Sequence, residues 1–342
     1  MIFFGTQHKQ SNITQQGYLS HGVTLQQLNR ALSEPDCYKY DEIIVSVTTL
    51  AIQETLVPSG PKFFLNHMLG LEKLLALRDP RLYRSQRTIG LYKCLRHMLL
   101  FASLGTGRGS ILARPEWKEM FRQACETEQE AQEQQLYDVL ADCSVLACAR
   151  DELCKRWETD EEGPHEDQVD HIRQRTLALF DHLQAWRTSW DAVPENVPIE
   201  VPTAMPPYHL PKESGSHVGL HPPPDFVFLK ISSALMLMLY NVATINLLMI
   251  LTSLPSSSQQ EASQGDYVAA IHGAVLEIYR SMPYASTAEL QRELHTSPAV
   301  HWASQIAQVV LQGDESVEAK WLVGILRWKS TGVALESLEM TG

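Results

Sequence analysis

The chain has 342 residues, 44% of them apolar and 20% charged, so it is long enough to bury a substantial core and is neither collagen-like nor wholly disordered. Its formal charge is −12, and the segment from Gln123 to Asp170 carries that whole excess, with fifteen carboxylates against three basic residues. No lysine- or arginine-rich run stands against a phosphate backbone, so direct nucleic-acid binding is not expected.

The residues before His21 read as an N-terminal extension leading into an early helix that ends near Leu32. Asp41 to Val57 places Ile43, Ile44, Val47, Leu50 and Ala51 on one helical stripe. Pro58-Ser59-Gly60-Pro61 breaks it, because proline cannot continue a helix and glycine relaxes the turn. Lys62 to Leu77 follows, with Phe64, Met68, Leu71 and Leu75 spaced by four, three and four, and Asp79-Pro80 ends it. Ser85 is placed to cap the next helix, which carries Ile89, Tyr92, Leu95, Leu99 and Leu100. Gly105 to Gly109 reads as a loop, and Pro115 as the first turn of a short helix. Two longer helices are expected over about Glu128 to Trp157 and His165 to Trp190, separated by the acidic turn Asp160 to Pro164.

Val193 to Pro224 is the least helical part, a proline-rich extended excursion anchored by Ile199, Val201, Met205, Tyr208 and Leu210. Asp225 is then placed to cap a long apolar helix from Phe226 to Leu254. Lys230, Ser232, Ser233, Asn241 and Asn246 interrupt that run, which fits a helix buried inside a bundle better than one facing lipid. Ser253 to Gly265 reads as a polar flexible linker. Helices return afterwards: Ser286 and Glu289 form a capping-box pattern, Ser297-Pro298 a cap with first-turn proline, and Asp314 an opening to the last helix. No run of alternating strand residues is evident. The fold class is all-α, a multi-helix bundle of about ten helices around one long proline-rich excursion. The sequence reads as one domain over 1–342, with helical parts at 21–192 and 225–342.

Chemistry-bearing motifs are sparse. The nucleotide-binding glycine patterns, the zinc-protease motif and the nucleophile elbow are missing. The six cysteines, at 37, 94, 125, 143, 148 and 154, form no C-x-x-C pair and have no zinc-finger spacing, so neither metal nor cofactor is expected. Gly105-Thr106-Gly107-Arg108-Gly109 lacks the strand and the lysine of a phosphate-binding loop. Trp186 with Trp190, and Trp321 with Trp328, read as core or interface pairs. Three polar residues fall beside apolar stripes. Glu54 lies four beyond Leu50, His67 three beyond Phe64, and Arg96 seven beyond Ile89. Their helices are joined by short connections and are expected to pack as neighbours, so a carboxylate, an imidazole and a guanidinium could meet between them. Such a group is either an internally satisfied polar network or the polar end of a ligand cavity, with His67 or Glu54 as acid or base.

The ordered phrases Gln53-Glu54, Asn66-His67-Met68-x-Gly70, Leu77-Arg78-x-Pro80, Arg96-His97 and Ile111-Leu112-Ala113-x-Pro115-Glu116-Trp117 resemble the regulatory ("fungal-specific transcription factor") domain of fungal zinc-cluster regulators. The likeness covers about His21 to Lys118, more loosely to Arg150 and the helix at Phe226. It implies an all-α regulatory domain, often in control of secondary metabolism, and no catalytic residues. The six-cysteine zinc DNA-binding module usual in that family is not in this sequence. The resemblance therefore implies action through protein partners, for instance a full-length zinc-cluster factor, or through an apolar small molecule, in the nucleus or cytoplasm. The segment MIFFGTQHKQ has no signal-peptide character, and no clear nuclear-localisation run occurs. The alternative is an enzyme that reuses the helical fold to cyclise or isomerise an apolar metabolite.

Overall fold

In the computed structural model the described residues are 1–56, 61–82, 85–159, 166–203, 223–255, 261–285, 298–312, 314, 319–320 and 323. Among them are eleven α-helices and one two-stranded ribbon, so the all-α architecture is present. The helices are α1 (Ile2–Gln7), α2 (Ser11–Leu32), α3 (Asp41–Leu56), α4 (Pro61–Ala76), α5 (Gln86–Gly105), α6 (Pro115–Gln123), α7 (Glu128–Thr159), α8 (Glu166–Asp191), α9 (Ile231–Ser253), α10 (Glu261–Ala285) and α11 (Pro298–Val310). They gather into two compact units, Met1–Gln134 and Gln135–Gly342.

In the first unit α3 packs on α4 and α4 on α5. The predicted stripes form the core: Ile44, Ala51, Leu71, Leu75 and Leu100 are completely buried. Ser85 caps α5 as expected, its hydroxyl accepting from the Thr88 amide at 3.1 Å, and Pro115 opens α6. Tyr92 meets Trp117 edge-on, with ring centroids 5.2 Å apart.

Residues 1–20, the N-terminal extension, contain α1 and the first half of α2. The two helices approach closely because glycines lie at the crossing. A Cβ on Gly17 would sit 2.6 Å from Ile2 Cγ1, and one on Gly5 2.5 Å from Thr14 Oγ1. Apolar periodicity does not reveal this contact, since α2 buries only Gly17 and Leu28.

In the second unit α9 is central and packs against α8, α10 and α11. It is long and apolar enough to cross a membrane, yet 83% of its most apolar window is buried within the protein. Trp186 and Trp190 on α8 stack at 5.2 Å and Trp186 continues onto Tyr240 of α9 at 6.0 Å, so this tryptophan pair is core. Arg187 donates to Asp191 Oδ2 at 2.6 Å and to Glu277 Oε2 at 3.2 Å, and its guanidinium lies 5.0 Å from the Tyr240 ring centre.

Three expectations change in this unit. The excursion contains strand β1 (Ile199–Val201), which pairs antiparallel with β2 (Asp225–Val227), Glu200 opposite Phe226. Strands of three residues are too short to show alternation in a sequence. Asp225 is therefore a strand residue, and α9 begins six residues later after Lys230 without a side-chain cap bond. Ser253 closes α9 and residues 261–265 belong to α10, so the linker is shorter than 253–265. Asp314 accepts from His272 Nε2 at 2.8 Å, tying the end of the α11 region to α10. Residues 58–60, 160–164, 204–222, 286–297, Trp321 and Trp328, where other sequence expectations fall, lie outside the described residues.

Candidate functional site

Glu54 continues the inner stripe of α3 (Val47, Leu50, Ala51) and is 9% exposed. His67 sits one residue before the buried Met68 on α4 and is half-buried. The two are electrostatic neighbours. Burial lowers the His67 pKa, the Glu54 carboxylate works in the opposite direction, and the His21 ring of α2 lowers it again, leaving it below the ordinary histidine value. At neutral pH this imidazole is uncharged and able to take up a proton. His21 itself donates from Nδ1 to Gln53 Oε1 at 3.1 Å, so α2, α3 and α4 all contribute to the cluster.

Arg96 is taken up elsewhere. It donates from Nη1 to Gln134 Oε1 at 2.8 Å, and its charge acts on Glu130 and on the neighbouring His97. Beside it Lys93 donates to Glu130 Oε2 and to the Ala124 carbonyl, each at 3.0 Å. The Glu130 pKa is lowered, first by the Glu126 amide and then by Lys93. Glu54 thus acts on His67 through its charge, while Arg96 belongs to a polar seam between α5 and the start of α7. An imidazole under the influence of a carboxylate can shuttle a proton, but the Arg96 guanidinium does not join it: it belongs to that seam.

A stronger polar centre surrounds Arg78. The Arg78 side chain is fully buried at the end of α4. It donates from Nη1 to Asp41 Oδ1 at 2.6 Å and to the Tyr92 hydroxyl at 2.7 Å, and from Nε to the Tyr38 carbonyl. The other oxygen of Asp41 accepts from Thr88 Oγ1 at 2.7 Å. Burial favours the neutral carboxyl of Asp41, but the bonds from Arg78 and Thr88 together outweigh it and hold its pKa below the usual carboxylate range. The available signal was spacing: Leu71, Leu75 and Arg78 follow one another by four and three, which puts the arginine on the buried stripe.

Behind the glycine loop, α4 and the turn at Ile111 enclose an open cleft of about 170 Å³ that carries Glu72, Lys73 and Arg108. Glu72 Oε1 accepts from the Ile111 amide at 2.9 Å, pinning the loop to α4. The cleft is smaller than pockets that enclose drug-sized ligands, about 300–1,000 Å³, and it is charged. Gly107 turns the loop with φ 64°. Among the described residues no three of His, Cys, Asp and Glu converge as metal ligands, and the six cysteines are free thiols.

No family model matches the chain, and no solved structure matches it. Over 94 residues it is 33% identical to "Uncharacterized protein AN5342" of Emericella nidulans, an alignment covering 28% of this chain and 20% of that protein. The chain thus spans about a fifth of the length of the curated relative it matches.

Proposed function

We propose that this chain is a helical regulatory domain that acts on transcription through protein partners or a small-molecule effector, in the control of secondary metabolism and in the nucleus. The resemblance of His21–Lys118 to zinc-cluster regulators motivates the reading. The observation that carries it is the apolar outer surface of the α1–α2 hairpin. Tyr18, Leu19 and Val23 of α2 are 54, 66 and 54% exposed, and Phe3 and Phe4 of α1 are about half exposed. Large apolar side chains that face water fit a surface that meets a partner. The polar residues that would serve an enzyme are split between two clusters, and the aromatic rings of each core pack on one another.

A reporter assay tests the proposal. The full chain is fused to a heterologous DNA-binding module and transcription is measured from its operator. Output changes several-fold with the fusion, and Leu19→Asp with Tyr18→Asp returns it towards baseline while far-UV dichroism stays unchanged. Reporter output indifferent to the fusion overturns the reading. So does substrate turnover in cell extract that His67→Ala or Glu54→Ala abolishes.

A further inference from the structure

The cleft beside the glycine loop holds two cations that the fold does not use. Leu69, Glu72, Lys73 and Ala76 lie at i, i+3, i+4 and i+7 on α4, so they share one helix face. That face lines the cleft together with Arg108, Gly109 and Ile111. The loop is fixed on either side of Gly109: the Arg108 amide donates to the Ser103 carbonyl at 2.9 Å, and the Ile111 amide to Glu72 Oε1 at 2.9 Å. Its backbone therefore sets where the Arg108 side chain begins. Arg78, Arg81 and Lys93 of the same unit are all held in ion pairs. Among the described residues, by contrast, neither the Lys73 ammonium nor the Arg108 guanidinium has a hydrogen bond or an ion pair, and both are exposed. The one carboxylate in the cleft is Glu72, and its Oε1 is committed to the loop. The apolar wall is made by half-buried Leu69 and Ala76 and by buried Ile111.

We propose that this cleft binds a small aliphatic monocarboxylate, with its head group on Lys73 and Arg108 and its chain against Leu69, Ala76 and Ile111. The planar guanidinium fork matches a carboxylate through two parallel N–H···O bonds, and the ammonium supplies a further donor. The space of about 170 Å³ admits an acid of a few carbons and falls below what a drug-sized ligand needs. Each methylene laid on the apolar wall strengthens binding by up to about fourfold. Glu72 opposes the two cations, which leaves a single net positive charge in the cleft. That balance favours a monoacid, because a second carboxylate would meet Glu72. The cleft offers a place for the small-molecule effector of the transcriptional reading, yet binding does not rest on that reading. A failed titration leaves the reporter outcome standing, and a silent reporter leaves the titration standing.

The test titrates the full chain with 3-methylbutanoate and follows saturation transfer from protein to the ligand methyl protons by NMR. Saturable binding is expected, with none for the neutral 3-methylbutanamide. Inorganic phosphate, which has a head group but no chain, should displace the acid only at about tenfold higher concentration. Lys73→Gln and Arg108→Gln each weaken binding several-fold and together remove it, while Lys73→Arg, which keeps the charge, retains most of it. Far-UV dichroism confirms that these surface variants are folded. Arg114→Gln removes an exposed arginine outside the cleft and should leave binding unchanged. Absence of saturable binding overturns the site, and an equal loss in Arg114→Gln reduces it to diffuse attraction of anions to a basic surface. Equal binding of the amide overturns the role of the two cations. Displacement by phosphate at the same concentration overturns the assignment to an aliphatic acid.

Discussion

The Arg78 guanidinium and the Asp41 carboxylate meet at 2.6 Å although 37 residues separate them, with the arginine side chain fully buried and the aspartate one-third exposed. The pair ties the end of α4 to the start of α3, and the same arginine holds the Tyr92 hydroxyl of α5 and the Tyr38 carbonyl. Replacing Arg78 by methionine keeps the bulk and leaves three acceptors without their donor. Breaking a buried pair from one side costs about 3–5 kcal/mol, and because Asp41 can rehydrate the lower end applies. Urea unfolding of the variant is expected to show a lower midpoint at unchanged slope. A midpoint equal to that of the parent chain would mean that the network contributes nothing net.

Asp41 also sets part of the acid sensitivity. Its folded pKa is depressed, so its contribution is complete above the ordinary carboxylate value of about 4 and is lost as pH falls through the still lower folded value. Asp41→Asn should therefore be less stable than the parent at neutral pH, with the gap closing under acid. The check is the urea midpoint of both chains from pH 7 down to pH 2.

Much of this unit can be read from spacing, because burial and period agree. Phe64, Met68, Leu71 and Leu75 are all buried, and Ser85 and Pro115 begin the helices that their chemistry favours. The adjacency of Glu54 and His67 follows from the short connection between α3 and α4. Arg96 could not be placed in the same way. It lies at the flank of its stripe beside the buried Leu95, where rotation of α5 decides between α3 and α7, and pairwise spacing carries no information about that rotation. Nor does a sequence reveal partners 37 residues apart, as in Arg78–Asp41, or a ribbon of two three-residue strands.

His97 gives a second and separate pH window. Its pKa is pushed down to about 4, first by burial and then by the adjacent Arg96 charge, against an ordinary value of 6.5. The unfolded chain thus takes up this proton before the folded one does. Stability from His97 is full above pH 6.5 and drains as pH falls towards 4. His97→Gln is expected to flatten the stability–pH curve between those limits while leaving the Asp41 limb below it intact. Denaturant titrations at half-unit pH steps distinguish the two. A slope unchanged by the substitution would show that His97 is protonated as readily in the folded chain.

The glycines of α2 should respond in opposite directions to the same substitution. At Gly17 a Cβ would come within 2.6 Å of Ile2 Cγ1 and 2.8 Å of the Ile2 amide nitrogen, whereas at Gly22 nothing lies within 4 Å. Gly17→Ala forces α1 away from α2 and costs about 1–3 kcal/mol, as overpacking does. Gly22→Ala gains about 0.5–1 kcal/mol from helix propensity. Thermal melts rank the variants, and faster amide exchange confined to residues 2–7 in Gly17→Ala locates the damage. Similar melting temperatures for both would mean that α1 does not pack on α2 in solution.

Arg280 secures the ribbon of the second unit to α10 through three kinds of contact. It donates from Nε to the Pro224 carbonyl at 2.7 Å, pairs with Glu200 of β1, and lies over the Phe226 ring at 3.8 Å. Phe228 extends the contact edge-on to Tyr284 at 5.3 Å. β2 packs directly on α10, and the Arg280–Glu200 pair adds a link from α10 to β1, so loss of the cation should affect β1 as well. Arg280→Ala is expected to cost about 1–3 kcal/mol from the charged hydrogen bond and the cation–π contact combined. Arg280→Met retains the stem on Phe226 and should recover only the packing share. Amide exchange at Glu200 and Phe226, residues paired across the ribbon, should quicken in both variants, more in alanine than in methionine. Equal exchange in alanine and methionine would assign the anchoring to the guanidinium alone.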